Sequence, residues 1–360
     1  MTKKFIVLFS LSIWFTAHAV RAQFPLVKKT LTLLNERIDT NYISDKTQML
    51  TLRAIGSSKL HSYSFTDGKN SLSYKANNSY SIGVGAAYRF LGANITVKIP
   101  GALNQDTSRY GKTQKLDIQA FAFPRKITLD AYLQYYKGFY IAEKDILSNP
   151  LLNGMHGIRS DIQTVHLGLT GSYIFNAKRF SFRAAFLQNE YQKKSAGTPL
   201  LGGSIHYNWV NGDSALIPAD IRYEQFFNDA RFNRIGILSA GMHIGYAYTW
   251  VVAKHFFVTG VALAGAGGNY SFLRDNTSDF FEQKLGFQAN LSYKAAIGYN
   301  SETFYAGLFY IGSLQRYSTP IAKTQLYNEP GMLRFVIAKR LEIHPPWEKK
   351  KKPEAVLEVQ

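Results

Sequence analysis

Residues 285–299, LGFQANLSYKAAIGY, alternate without a slip: Leu285, Phe287, Ala289, Leu291, Tyr293, Ala295, Ile297 and Tyr299 take the odd positions. Gly286, Gln288, Asn290, Ser292, Lys294, Ala296 and Gly298 take the even ones. A period of two specifies an extended strand with one dry and one wet face. A soluble antiparallel sheet covers its dry face with a second layer, whereas a barrel strand can turn that face to lipid.

The same alternation recurs along the chain. Ile82, Val84, Ala86, Tyr88 and Phe90 share one face, as do Ala93, Ile95, Val97 and Ile99. Ile127 to Tyr135, Val165 to Phe175 and Leu238 to Trp250 repeat the pattern. Beyond the first residues no run of 18 apolar residues exists, which excludes a helical membrane protein. A closed β-barrel is the other way to span a bilayer without unpaired backbone groups. The 23 Tyr, 25 Phe and 28 Gly suit strands and tight turns. Short connections near Leu91-Gly92, Pro124-Arg125, Asn176-Lys178, Ala253-Lys254 and Ser301-Glu302 alternate with longer polar ones near 100–112, 139–159, 270–281 and 316–327. That asymmetry is the outer-membrane pattern, with the short set periplasmic. Tyr88, Phe90, Tyr173, Phe175, Phe180, Trp250, Tyr299 and Phe304 lie beside the short turns and are the expected lipid-interface aromatics. The alternative is a soluble sandwich that buries some of them.

Strand candidates are 49–58, 79–90, 92–99, 112–124, 126–138, 160–175, 178–190, 197–209, 233–250, 254–270, 282–300, 302–315 and 328–341. Their odd number conflicts with the even count of single-chain bacterial barrels. Either 197–209 belongs to a folded loop, giving 12 strands, or a further strand hides in 210–232, giving 14; 12 is preferred. The predicted fold is thus an all-β transmembrane antiparallel β-barrel over 47–342. Residues 1–22 read as a signal peptide, with Lys3 and Lys4, an apolar run from Phe5 to Phe15 and small residues ending at Ala22. Residues 23–46 form a periplasmic segment with a short amphipathic helix, and 343–360 a solvated periplasmic tail. The last strand lacks a terminal aromatic, so the barrel-assembly machinery is expected to read Phe335 or another signal. The segment 214–232 is the least strand-like, and is expected as a helical turn in or over the lumen or as a surface loop.

These features together, with DTNYI at 39–43, SLSYKANNSYSIGVGAAYRFLG at 71–92, QKKSAGTPLLGG at 192–203 and GYAYTWVVAKHFF at 245–257, resemble the Bacteroidetes-type outer-membrane barrel family known as domain of unknown function 4421. The resemblance implies location in the outer membrane of a Gram-negative bacterium and the barrel fold. It supplies no catalytic residues.

Charge and chemistry narrow the function. Removing Lys3, Lys4 and Arg21 with the signal lowers the formal charge from +18 to +15. Strand phase places Arg53, Arg89, Lys98, Lys115, Arg183, Lys294, Arg334 and Arg340 on wet faces, against Asp117 and Asp130. Such a lumen attracts anions if open; if these residues pair with loop or plug carboxylates, it is closed. The leading expectation is passage or binding of a small or anionic solute through a basic lumen. The competing one is a closed structural or interaction barrel contacting lipopolysaccharide or a protein partner, with nucleic acid excluded by export. Catalysis ranks lower: Ser204 and His206 share a wet face, and His166 and His243 are wet, but two residues along a strand separate side chains by about 6–7 Å. No HxH or HExxH spacing occurs, ALAGAGGNY at 262–270 lacks the lysine of a phosphate loop, and the chain has no cysteine, so no metal, cofactor or disulfide is expected.

Overall fold

The computed structural model describes residues 37–89, 91–99, 106–144, 146–148 and 156–342. The expected signal peptide, N-terminal helix, C-terminal tail and Phe90 lie outside the described residues. The strands are β1 (Ile43–Asp45), β2 (Leu50–Thr66), β3 (Ser71–Lys75), β4 (Tyr80–Tyr88), β5 (Leu91–Lys98), β6 (Gln114–Ala122), β7 (Ile127–Ile141) and β8 (Ile158–Ile174). They continue with β9 (Glu190–Gln192), β10 (Ala196–Asn211), β11 (Arg234–Val252), β12 (Phe256–Arg274), β13 (Phe281–Asn300), β14 (Phe304–Ser318) and β15 (Gln325–Leu341).

The wall is a closed antiparallel ring of 12 strands, because β15 pairs back onto β2 from Gln325↔Thr66 to Leu341↔Leu50. β3 and β4 act as one interrupted strand opposite β2. Ser62 pairs with Lys75 and Ser58 with Tyr80, so residues 76–79 oppose only 59–61 and form a bulge. β1 and β9 form a separate two-stranded sheet. A tight turn at Ala253-Lys254 takes left-handed φ values of 47° and 69°, matching the twist of β11 and β12. Gly138, φ 90°, sits where the β7–β8 register shifts, and a Cβ there would lie 2.2 Å from the Lys112 carbonyl oxygen.

The strand count agrees with the sequence reading, but the segment left out of the wall differs. Residues 197–209 are a wall strand, within β10, paired with both β8 and β11. Residues 178–190 are not a wall strand, and only Glu190, at the start of β9, is extended. Their Phe180, Phe182, Phe186 pattern fits a period of two, yet Ser181 caps a helical turn at Phe182–Phe186 by accepting from Ala184 N at 3.0 Å, and Gln188 takes a left-handed φ of 58°. The chain therefore doubles back into the barrel as a plug. Phe180 goes with it: at 1% exposure it packs edge-on to Phe182 at 5.1 Å and is no interface aromatic.

Burial is inverted relative to a soluble sheet. Leu285 is 80% exposed on the outer face of β13, and Ile95, Val84, Met242 and Ile244 are exposed likewise, while Lys294 is only 8% exposed inside. An outward apolar belt with a polar interior is what a bilayer stabilises and water does not. Tyr173, Phe175, Trp250 and Phe304 are exposed at the short-turn edge of this belt, with Tyr88 and Tyr299 half-buried beside them.

Candidate functional site

The bore divides into three layers along its length. At the short-turn end, the plug of residues 178–192 is held by Glu190, whose side chain has no solvent exposure. Its Oε1 accepts from Arg125 Nη2 at 2.5 Å and Arg183 Nη1 at 3.2 Å, and its Oε2 accepts from Ser181 Oγ at 2.5 Å. Arg340 donates to the Gln188 and Glu190 carbonyls at 2.7 and 3.1 Å and to Asn300 Oδ1 at 2.7 Å. Arg53 donates to Gln188 Oε1 at 3.2 Å and the Ala86 carbonyl at 2.8 Å. Phe182, Phe186 and Leu187 fill the space above, so the stopper is apolar at its centre and ionic at its rim.

The middle layer is polar and packed. Lys294 Nζ donates to both Asp130 oxygens at 2.9 and 2.8 Å, and Lys59 Nζ lies 2.8 Å from Asp117 Oδ1. Asp117 Oδ2 also accepts from Gln134 Nε2 at 3.0 Å and Tyr136 Oη at 2.7 Å. His166 Nδ1 donates to Gln134 Oε1 at 2.8 Å, which leaves its Nε2 to accept from His206 Nδ1 at 3.2 Å. Next to a cavity of about 350 Å³ at His61, Ser313 and Glu329, this layer holds one of about 50 Å³, bordered by Asp130, His166, His206 and Lys294. The smaller has room for no more than a water or two.

At the long-loop end, residues 214–232 close the mouth. Leu216, Ile217, Phe226, Phe227 and Phe232 are buried. Phe65 meets Phe227 at 5.5 Å and Phe232 at 5.9 Å, and Tyr74 Oη donates to the Leu216 carbonyl at 2.6 Å. At Phe226–Asp229 the chain turns through left-handed φ values of 57° at Phe227, 53° at Asn228 and 54° at Asp229, so this is a tight left-handed turn and not the expected helical one. Beside it opens a cavity of about 930 Å³, walled by Ile141, Leu147, Ile158 and Pro218 with His156, Arg159 and Asp220 at polar positions. Arg159 is fixed there by Asp161 at 2.8 and 2.7 Å and donates to the Ala215 carbonyl at 3.0 Å.

Of the eight basic residues expected in the lumen, Arg53, Lys115, Lys294, Arg334 and Arg340 lie on inner faces of the wall. Arg183 reaches the lumen from the plug helix instead of a strand. Arg89 is not in the lumen: it is exposed in the turn after β4, with φ 55° and its guanidinium 5.3 Å from the Tyr88 ring centre, because strand phase ends at the turn. Lys98 has inward phase but is exposed at the end of β5. Arg53, Arg183, Lys294 and Arg340 are bonded internally, and Arg334 lies over the Phe309 ring at 5.6 Å. The expected open basic lane is thus filled among the described residues.

Ser204 and His206 do not meet; His206 pairs with His166. The structure instead brings Ser172 Oγ to 2.8 Å from His243 Nε2, a pair that strand register creates by placing Ser172 opposite Gly202 and Gly202 opposite His243. A serine bonded to an imidazole can act as a nucleophile, but both side chains are buried under the packed lumen. Sequence phase marks each residue as wet, and only the register joins them. Among the described residues no group of three or more His, Asp and Glu side chains could hold a metal ion.

Several solved structures are similar in outline. The outer membrane protease OmpT from Escherichia coli is 11% identical, with 84% of this chain and 100% of that chain covered and a TM-score of 0.37. The outer-membrane expressed OmpT of Vibrio cholerae is 10% identical, covering 85% and 100%, with a TM-score of 0.25. The TodX monoaromatic hydrocarbon channel is 8% identical, covering 82% and 91%, with a TM-score of 0.22. No curated protein matches the chain. The model of the family described as domain of unknown function DUF4421 matches residues 37–336, the plug and nearly the whole wall, and the chain belongs to that family.

Proposed function

We propose that the protein is a β-barrel of the Gram-negative outer membrane, with its short turns in the periplasm, whose bore is sealed at rest and which binds a ligand instead of conducting solutes freely. The observation that carries this reading is Glu190: an unexposed carboxylate bonded to Arg125 in the β6–β7 turn and to Arg183 and Ser181 on the plug. A buried ionic lock of this kind has a defined bonded geometry and resists partial opening. The 930 Å³ cavity at the long-loop mouth is the solute-receiving vestibule; its largely apolar walls with a few fixed polar groups suit a small, mainly apolar molecule. The outward apolar belt and the aromatic edge support the membrane setting.

The test is single-channel recording of the refolded protein in a planar bilayer, with heat-modifiable migration as proof of a folded barrel. The folded protein should insert and remain electrically silent. Stable openings by the unmodified protein, of either ion preference, would overturn the sealed reading.

A further inference from the structure

The shortest ladder between consecutive wall strands is β5–β6. β4 and β5 pair at eight positions, Ser81↔Lys98 to Tyr88↔Leu91, and β6 and β7 at nine, Gln114↔Lys137 to Ala122↔Leu129. β5 and β6 pair at only two, Leu91↔Ala122 and Gly92↔Phe121. Continued in the same register, that ladder would oppose Asn94 with Gln119, Thr96 with Asp117 and Lys98 with Lys115. The last of these sets two like charges face to face on the inner side of the wall, which opposes closure.

Among the described residues β5 and β6 are unpaired with each other beyond their two positions. Thr96 and Lys98 have inward phase yet are exposed, and Ile95 is 74% exposed on the opposite face. Lys59 reaches from β2 to β6 and donates to the backbone carbonyl of Asp117 at 2.9 Å, besides pairing with its carboxylate. That carbonyl is therefore satisfied by a side chain where a neighbouring strand would ordinarily serve. Unpaired strand edges facing hydrocarbon are costly, so such a gap in the wall needs an occupant or a capping group. The lips of the gap are apolar, with Ile95 and Val97 on one side and Leu116 and Ile118 on the other. Behind them Lys59 pairs with the single carboxylate of Asp117, and Lys98 and Lys115 have inward phase on the two parted strands.

We propose that the β5–β6 seam is a lateral slot that admits a lipid-like amphiphile with an anionic headgroup from the surrounding leaflet. The headgroup sits between Lys98 and Lys115, relieving their repulsion. The chain lies against Ile95, Val97, Leu116 and Ile118, and Lys59 with Asp117 latches the slot when it is empty. The proposal rests on the membrane-barrel reading, and the experiment separates the two.

The mature protein is placed in nanodiscs and followed by hydrogen exchange and by native mass spectrometry of retained lipid. The alternate amides of 93–98 and 114–120 that point away from β4 and β7 should exchange quickly while those of β12 and β13 stay protected; phosphatidylglycerol should be retained over phosphatidylcholine of the same chains, and free inorganic phosphate should not compete. K98Q/K115Q should lower phosphatidylglycerol retention about tenfold. The chain is free of cysteine, so I95C/I118C can be oxidised to close the slot, and retention should fall when oxidised and return on reduction. Protection of those alternate amides equal to that of β12 and β13, or equal retention of the two lipids, overturns the slot. Competition by inorganic phosphate would show a site for a soluble anion and overturn the lipid. Unprotected β12 and β13 amides would instead reject the membrane barrel itself.

Discussion

Replacing Glu190 with glutamine isolates the plug lock from the wall. The amide keeps the shape of the carboxylate and leaves every wall ladder untouched, but it removes the negative charge shared by Arg125 and Arg183. It also aims an N–H donor at a guanidinium or at Ser181 Oγ, where an acceptor is needed. Two buried guanidiniums then face no carboxylate. Removing one partner of a buried pair costs about 3–5 kcal/mol, and at roughly 1.4 kcal/mol per factor of ten the undocked plug becomes about a hundred- to several-thousand-fold more populated. The assay pairs two readouts: proteolysis of 178–192 in the folded barrel, and bilayer recording. E190Q should be cut in the plug at least a hundredfold faster and should show transient openings in an otherwise folded, heat-modifiable barrel. An E190Q protein as protease-resistant and as silent as the parent would refute the assignment of Glu190 as the lock.

Other perturbations address the remaining layers. Lys294→Gln and Asp130→Asn should each destabilise the barrel by several kcal/mol, while the double variant loses much less than the sum, measured as a coupling energy in a double-mutant cycle of urea unfolding. Phe227→Ala removes a ring packed on Phe65 and Phe232 and should weaken closure of the long-loop mouth by about 3–5 kcal/mol, seen as faster proteolysis within 214–232 with the wall intact. Burial lifts the carboxyl of Glu302, but its bonds to Lys46 and Ser44 outweigh that and hold it below its usual value of 4.5. A lowered folded-state value means that the contact contributes fully above pH 4.5 and is lost as the pH falls through the lower folded value. Cleavage of the 39–47 segment should therefore rise as acid is added below pH 4.5, and E302Q should abolish that pH dependence.

The wall was legible because its information is local. Period-two alternation in β4, β7, β8, β11 and β13 assigns each residue to a face, and in a barrel every face has one destination. Position 178–190 shows where the same logic stops. Phe180, Phe182 and Phe186 satisfy the strand period, and what turns them inward is a cap at Ser181, a left-handed Gln188 and a partner for Glu190 that lies 65 residues away at Arg125. Arg89 failed for a simpler reason: phase carries no information once a strand enters its turn. The Ser172–His243 contact and the short β5–β6 ladder were hidden because both depend on register between strands, and alternation within one strand is silent about its neighbour's offset.

The basic composition looks different once these partners are known. The inward-facing cations outnumber Asp117, Asp130 and Glu190, so carboxylates alone do not balance the bore. Several of the others are held by backbone carbonyls: Arg340 by those of Gln188 and Glu190, Arg53 by that of Ala86, and Arg183 by that of Phe123. A carbonyl satisfies a guanidinium's hydrogen bonds but leaves its charge in place. A sealed bore of this composition therefore keeps a positive potential behind low-dielectric walls. That potential has its weakest shielding where the wall ladder is shortest, at Lys98 and Lys115 beside the β5–β6 seam. Neutralising those two lysines should abolish anion attraction to the barrel's side without altering plug stability, whereas E190Q should do the reverse. If both variants changed both properties together, the plug and the seam would be one coupled device and not two.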